Sequence, residues 1–181
     1  MTLFDYQDLP LKGAKLITRK PFQDSRGSFS RLFCFEDLKE AGWFKKVSQI
    51  NFSSTIMAGT VRGMHYQKDP WGEVKLVNCI RGCIWDVIVD VRKDSKTYLN
   101  WHAEVLDSDK CTGMLVPEGF AHGFQTLTDN VELIYCHSKP YNKTFESGLN
   151  PLDPELKIEW PNTITEISKK DSNHKHIKNW E

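Results

Sequence analysis

Two histidines sit in matching surroundings. His65 lies in Arg62-Gly63-Met64-His65-Tyr66-Gln67, and His122 lies in Pro117-Glu118-Gly119-Phe120-Ala121-His122-Gly123-Phe124. Both stretches are bracketed by glycine and flanked by apolar residues, which suits one site assembled from distant parts of a β scaffold. Imidazole moves protons near neutral pH and is also the commonest metal ligand. The metal option needs further ligands close by. The residues two away from His65 are Gly63 and Gln67, and those two away from His122 are Phe120 and Phe124. The tight His-x-His pair of many metal-binding β barrels is missing, so no metal is expected. His102, His137, His174 and His176 read as surface or incidental histidines, the last two within a polar tail.

Other candidates are weaker alone. Lys75 interrupts the apolar run Glu73-Val74-Lys75-Leu76-Val77. A lysine there either faces solvent or enters a pocket, where it needs an anionic partner. Tyr135 ends the strand-like Val131-Glu132-Leu133-Ile134-Tyr135, where packing is the commoner role. Arg26, Gln49, Arg62 and Lys75 can together hold an anionic ligand, although arginines beside turns are usually just solvated.

The elements that must position these residues are mostly strands. Residues 13–19 form a first strand, 21–27 a turn rich in turn-forming types, and 28–33 an alternating strand. A short helix is expected over 35–41, ended by Gly42. Strand character resumes at 47–52, and 53–59 is a loop before the His65 strand. Residues 74–80 and 83–91, separated by Arg81-Gly82, read as a hairpin with both faces in use. Cys83, Trp85, Val87, Val89 and Val91 share one face, and Asp86 and Asp90 punctuate the other between Ile84 and Ile88. Further strands are expected at 98–106 and 114–116, and a pair at 123–128 and 132–138 around Asp129-Asn130. After Pro140 the periodicity fades, and 169–181 reads as helix or coil. Many short strands with glycine, proline and Asp/Asn/Ser turns are an all-β signature. A jelly-roll sandwich or barrel with few short peripheral helices is the leading choice, and such barrels hold ligands in their mouths.

Bulk properties narrow the function. The 181 residues suit one domain, with a core over about 15–171 and a polar tail at 172–181. Acidic and basic residues balance at 24 each, so there is no electrostatic footprint for nucleic acid or an anionic membrane. No run approaches the roughly 18–20 apolar residues of a membrane span. The start, Met1-Thr2-Leu3-Phe4-Asp5, lacks the features of a secretion signal. Five cysteines without CxxC spacing argue for free thiols in a reducing compartment, hence a cytoplasmic location. Cys79 and Cys83, four apart, read as small buried hydrophobes.

Taken in order, the landmarks resemble the dTDP-4-dehydrorhamnose 3,5-epimerase family, cupin-fold epimerases of nucleotide-linked 4-keto-6-deoxy sugars. They are Phe22-Gln23-Asp24-Ser25-Arg26-Gly27-Ser28-Phe29, Gln49-Ile50-Asn51, Val61-Arg62-Gly63-Met64-His65-Tyr66-Gln67, Lys75-Leu76-Val77, Arg81-Gly82 and Trp85-Asp86-Val87-Ile88-Val89-Asp90. Val116 to Phe124, Tyr135 and Ser168-Lys169-Lys170-Asp171 complete the set. The resemblance implies an enzyme without cofactor or metal. It inverts C3, C5 or both of a nucleotide sugar by removing and returning a proton next to the C4 ketone. By resemblance His65 is the base, Asp171 orients it, Lys75 stabilises the enolate oxygen and Tyr135 returns the proton. Arg62 and His122 line the sugar pocket; Arg26, Gln49, Asn51 and Tyr141 match positions for the nucleotide diphosphate and base. A homodimer is implied, with an N-terminal strand crossing to the partner. Departures are Ile50 for a usual Asp, Ser147-Gly148 for Arg-Gly, and Pro151-Leu152-Asp153-Pro154 for Trp-Asn-Asp-Pro. They fall outside the acid–base set and bear on the nucleotide base and sugar pose. The alternatives are a sugar-nucleotide-binding protein without catalysis, a CDP-sugar or single-centre epimerase, and a metal-dependent cupin oxygenase or isomerase.

Overall fold

A computed structural model of the chain describes residues 2–180. Two facing sheets carry the fold. The first contains β1 (Phe4–Asp8), β2 (Lys15–Arg19), β5 (Gln49–Thr55), β7 (Lys75–Arg81), β10 (Thr112–Val116) and β12 (Val131–His137), in the order β1-β2-β10-β7-β12-β5. The second contains β6 (Thr60–Gln67), β8 (Cys83–Asp90), β9 (Trp101–Asp107), β11 (Phe120–Thr126) and β13 (Glu146–Gly148), in the order β13-β6-β11-β8-β9. A short β14 (Glu166–Ile167) adds in parallel to β6. β3 (Phe22–Asp24) and β4 (Gly27–Phe29) form a separate two-stranded hairpin. The helices are α1 (Phe35–Lys39) and α2 (Lys169–Ser172), with a 3-10 turn over Ile177–Asn179. This is the jelly roll expected from the strand pattern. Among the described residues, no helix is long and apolar enough to cross a membrane.

The hairpin expected at Arg81-Gly82 does not form. β7 and β8 lie in opposite sheets, and Gly82 turns the chain between them at φ +75°. A Cβ there would lie 2.6 Å from Thr128 Oγ1, so glycine is needed. The pair expected around Asn130 likewise splits, with β11 in the second sheet and β12 in the first. Periodicity identified the strands but not their partners, because both faces of these strands are buried and either sheet satisfies the pattern. Other boundaries shift. β1 has no counterpart in the periodicity and pairs with β2 of its own chain, 28–33 contributes only β4, β5 extends to Thr55, and the strand expected at 98–106 starts at Trp101.

Both faces are buried because three apolar layers are stacked. The inner layer lies between the sheets and joins Val77 and Cys79, Ile84 and Ile88, Met114 and Val116, Phe120 and Phe124, and Val131 and Leu133. The outer face of the first sheet is covered by the segment around α1, where Leu38, Ala41 and Trp43 pack on Ile17, Leu76 and Leu115. The outer face of the second is covered by the C-terminal region, with Leu149, Leu156, Trp160 and Trp180 against Val87, Val89 and Ala121. Burying each large side chain contributes about 1.5–3 kcal/mol, so both claddings matter to stability.

The inner face of each strand changes character along its length. Residues two apart share a face. β7 runs Lys75, Val77, Cys79 and β12 runs Val131, Leu133, Tyr135, His137. β8 places Asp86 between Ile84 and Ile88, and β11 places His122 between Phe120 and Phe124. One part of the interior is therefore a dry core. The other is a pocket lined by groups that ionise or hydrogen-bond.

Candidate active site

The pocket has a volume of about 540 Å³ and takes its walls from both sheets. His65, Arg62 and His122 come from the second sheet; Lys75, Tyr135, His137, Gln49 and Asn51 come from the first. Tyr141 closes the rim, its amide donating to Gln49 Oε1 at 2.8 Å. Of the residues singled out from the sequence, eight line this pocket. Asp171 sits behind His65, and Arg26 lies elsewhere.

Glycines set the two histidines opposite each other. His122 pairs with His65 across β11 and β6, and the register shifts between His122 and Phe124. At that bulge Gly63 has φ +117°, and a Cβ on it would lie 2.5 Å from Gly123 Cα. A Cβ on Gly123 would lie 2.7 Å from Arg62 O. The glycine bracketing seen in the sequence thus serves close backbone approach.

Each histidine has its own carboxylate. His65 Nε2 lies 2.7 Å from Asp171 Oδ1, and the Gly63 amide donates to Asp171 Oδ2 at 3.1 Å. Asp171 stands on a four-residue helix too short to hold itself. Ser168 Oγ caps it by accepting from the Asp171 amide at 3.0 Å, and Asn150 Nδ2 donates to Ser172 O at 2.8 Å. Burial disfavours the Asp171 charge, but the hydrogen bond and charge of His65, the Gly63 amide and Ser168 outweigh it and hold the carboxyl below its usual value. An ionised Asp171 accepts, so the hydrogen-bond pattern assigns the proton to Nε2 and leaves a lone pair on His65 Nδ1.

His122 Nε2 lies 2.7 Å from Asp86 Oδ1. This pair is deeper: Asp86 is fully buried and its Oδ2 has no partner. Burial pushes the Asp86 carboxyl up against the pull of His122 and Lys75. His65 keeps 38% of its side chain exposed, against 7% for His122. The first pair is the one open to a bound molecule.

Lys75 crosses between the sheets. Its ammonium lies 3.0 Å from Glu73 Oε1 and donates to His65 O at 3.1 Å. Gln67 Nε2 donates to Glu73 Oε2 at 2.6 Å. Lys75 and Glu73 are nearly buried, and this pairing supplies the anionic partner that a buried lysine requires. A fixed cation beside the pocket can stabilise negative charge developing on a bound oxygen.

Tyr135 faces His122 edge-on at 6.2 Å between ring centres, and its hydroxyl lies 3.3 Å from Ser53 Oγ. Burial pushes its phenol well above the ordinary value. It stays a neutral donor across the usable pH range. His137 stacks on it at 6.1 Å. Burial, aided by the Lys75 charge, pushes His137 down to about 4, so it is neutral. Far from incidental, His137 is part of the wall.

Sequence reasoning missed Glu73, Asp86, His137 and His174 as parts of this region. Three carried a signal in the two-residue period: Glu73 precedes Lys75 by two, His137 follows Tyr135 by two, and Asp86 interrupts an inward apolar face. His174 carried none. Its ring meets His65 at 6.1 Å between centres, and nitrogen or oxygen atoms of His65, Asp171 and His174 lie within 4.8 Å of one another. Arg26 sits on the β3–β4 hairpin, bonded to Asp24, and does not line the pocket. All five cysteines are free, Cys79 and Cys136 buried. Burial pushes the Cys79 thiol up to about 12, which leaves it inert.

With this geometry, comparisons with known proteins are specific. The model of the family described as dTDP-4-dehydrorhamnose 3,5-epimerase matches residues 8–179. The chain is 39% identical over 174 residues to dTDP-4-dehydrorhamnose 3,5-epimerase of Sinorhizobium fredii (strain NBRC 101917 / NGR234), covering 92% of this chain and 86% of that one. The crystal structure of the Bacillus anthracis str. Ames enzyme, with TDP and PPi bound, superimposes with a TM-score of 0.92 at 37% identity over 96% of this chain and 99% of that one. An epimerase from Legionella pneumophila Philadelphia 1, in complex with dTDP-4-keto-L-rhamnose, gives 0.93 at 30% identity, covering 98% and 95%.

Proposed function

The chain belongs to the dTDP-4-dehydrorhamnose 3,5-epimerase family and is a sugar epimerase of deoxysugar biosynthesis, and from that premise we propose how it works and on what. The substrate is a dTDP-linked 4-keto-6-deoxyhexose, and both C3 and C5 are inverted. The named activities of its relatives support this substrate. The ketone acidifies the hydrogens on C3 and C5. His65 Nδ1 removes one of them while Asp171 holds the ring and steadies the imidazolium that forms. Lys75 stabilises the enolate oxygen. Tyr135 returns a proton from the other side of the ring. His122 and Arg62 orient the sugar; Gln49, Asn51 and Tyr141 contact the nucleotide portion.

The observation that carries this reading is the 2.7 Å His65–Asp171 bond on one wall of a pocket whose opposite wall holds Tyr135 and Lys75. A protein that only bound the sugar nucleotide would not need that opposed arrangement. Incubation with dTDP-4-keto-6-deoxyglucose in deuterated water is expected to place deuterium at C3 and C5. Binding without incorporation at either carbon would remove the catalytic reading.

The working unit we propose is a homodimer. Arg26 matches a nucleotide-binding position of the family yet lies outside its own chain's pocket. Its hairpin carries Phe22 at 59% and Phe29 at 68% exposure. The edge strand β5 also exposes Ile50 and Phe52. A partner pocket would occupy the hairpin and bring Arg26 to the diphosphate, where its planar fork suits phosphate oxygens. Light scattering is expected to give twice the chain mass; a monomer with full activity would contradict the proposal. The five free cysteines support a reducing, cytoplasmic setting.

A further inference from the structure

The cluster of His65, Asp171 and His174 offers more than a base and its carboxylate. His174 lies in the turn that follows α2. Its ring occupies the space where a side chain on Gly148 would stand, and Gly148 is the residue paired with His65 across β13 and β6. The absence of a Cβ at 148 is what lets this second imidazole reach the first. Its Nε2 is buried and has no hydrogen-bond partner. An imidazole nitrogen buried without a partner is costly. Together the three side chains present two imidazoles and one carboxylate, a donor set that suits zinc with water in the fourth position. His65 and Asp171 also line a second cavity of about 560 Å³, which leads to the cluster and also touches Ser168 and Lys170.

We propose that His65, Asp171 and His174 form an inhibitory site for a divalent ion of the zinc type. Ligand atoms around tetrahedral zinc lie about 3.3 Å apart, from bonds of roughly 2.0–2.2 Å. Those atoms here lie within 4.8 Å of one another, so closure takes side-chain rotation and a small movement of the His174 turn. Zinc enters between His65 Nε2 and Asp171 Oδ1, in place of the proton they share. A neutral imidazole bound to metal through Nε2 carries its one proton on Nδ1. The Nε2 proton therefore leaves to water and one is taken up at Nδ1, with no net release. The nitrogen that faces the substrate has changed from acceptor to donor. Proton abstraction stops while the nucleotide contacts on β5 and at Tyr141 are untouched.

Binding stands on the geometry alone; inhibition rests on the reading of His65 as the base. Zinc chloride is the probe. One ion per chain is expected by displacement from a colorimetric chelator, with kcat falling roughly tenfold or more, KM little changed and full recovery on adding EDTA. His174→Asn and His174→Gln are expected to fold, to keep the zinc-free rate within about threefold, and to need roughly tenfold more zinc or beyond for the same inhibition. Equal zinc sensitivity in both variants, or equal stoichiometric binding, would overturn the site. One zinc bound through His174 with undiminished turnover would overturn the inhibition, and would then count against His65 as base while leaving the binding site standing.

Discussion

Replacing His65 with asparagine is expected to lower kcat by about 10²- to 10⁴-fold, the usual contribution of a positioned base. Deuterium uptake from solvent should fall equally at C3 and C5, because the same lone pair starts both exchanges. Nucleotide binding should persist, since the His65 side chain bonds to Asp171 and not to the β5 residues proposed to contact the nucleotide. Asparagine is too short to reach Asp171 as Nε2 does, but the Gly63 amide still donates to that carboxylate, so it keeps a partner and the fold is spared. Isotope exchange by NMR, with TDP affinity by calorimetry, reads both halves. Exchange at near wild-type rate would transfer the base role to His122, the other pocket-lining imidazole with a carboxylate behind it. Lys75 makes a poorer test. Removing it leaves Glu73 buried and unpaired, a cost of about 3–5 kcal/mol that mixes folding with chemistry.

The second large effect is a separation of two readouts. Tyr135→Phe is expected to slow inversion by about 10²-fold or more, while loss of the substrate's proton to solvent falls much less. Washout needs only the base, whereas inversion needs delivery from the opposite side. The change removes one hydroxyl whose partner is Ser53 at 3.3 Å, so the scaffold should persist. Burial keeps the Tyr135 phenol above its ordinary value, so it remains protonated throughout the working range and no titration of this residue should appear in the pH profile. Parallel loss of washout and inversion would mean that Tyr135 acts in binding or in the enolisation step instead.

How far the sequence foretold this site depends on range. Alternation along single strands set Lys75, Tyr135 and His122 on faces that also carry core residues, and the glycines beside His65 and His122 marked their close approach. What periodicity does not contain is pairing. Gly82 and Asn130 look like hairpin turns locally, yet each passes the chain to the other sheet. That exchange is hidden because α1 and the C-terminal segment clad the outer faces, so every central strand is apolar on both sides. The same limit applies to chemistry. Asp171 lies 106 residues from His65, and only the family resemblance joined them. Asp86 reads as a break in an apolar face, but its partner His122 is 36 residues away on another strand. The polar surroundings of His174 carry no signal of a site; only the folded chain brings it against Gly148.

Tyr135 and His65, the proposed donor and base, stand on different sheets. Facing sheets pack about 10 Å apart, a spacing set by the side chains between them. For a sugar ring held in that gap, the spacing works as a stereochemical gauge: one ring fits, with one face toward His65 and the other toward Tyr135. Residues such as Leu133 and Ile84, outside the pocket lining, would then help to fix product handedness by holding the walls at that distance.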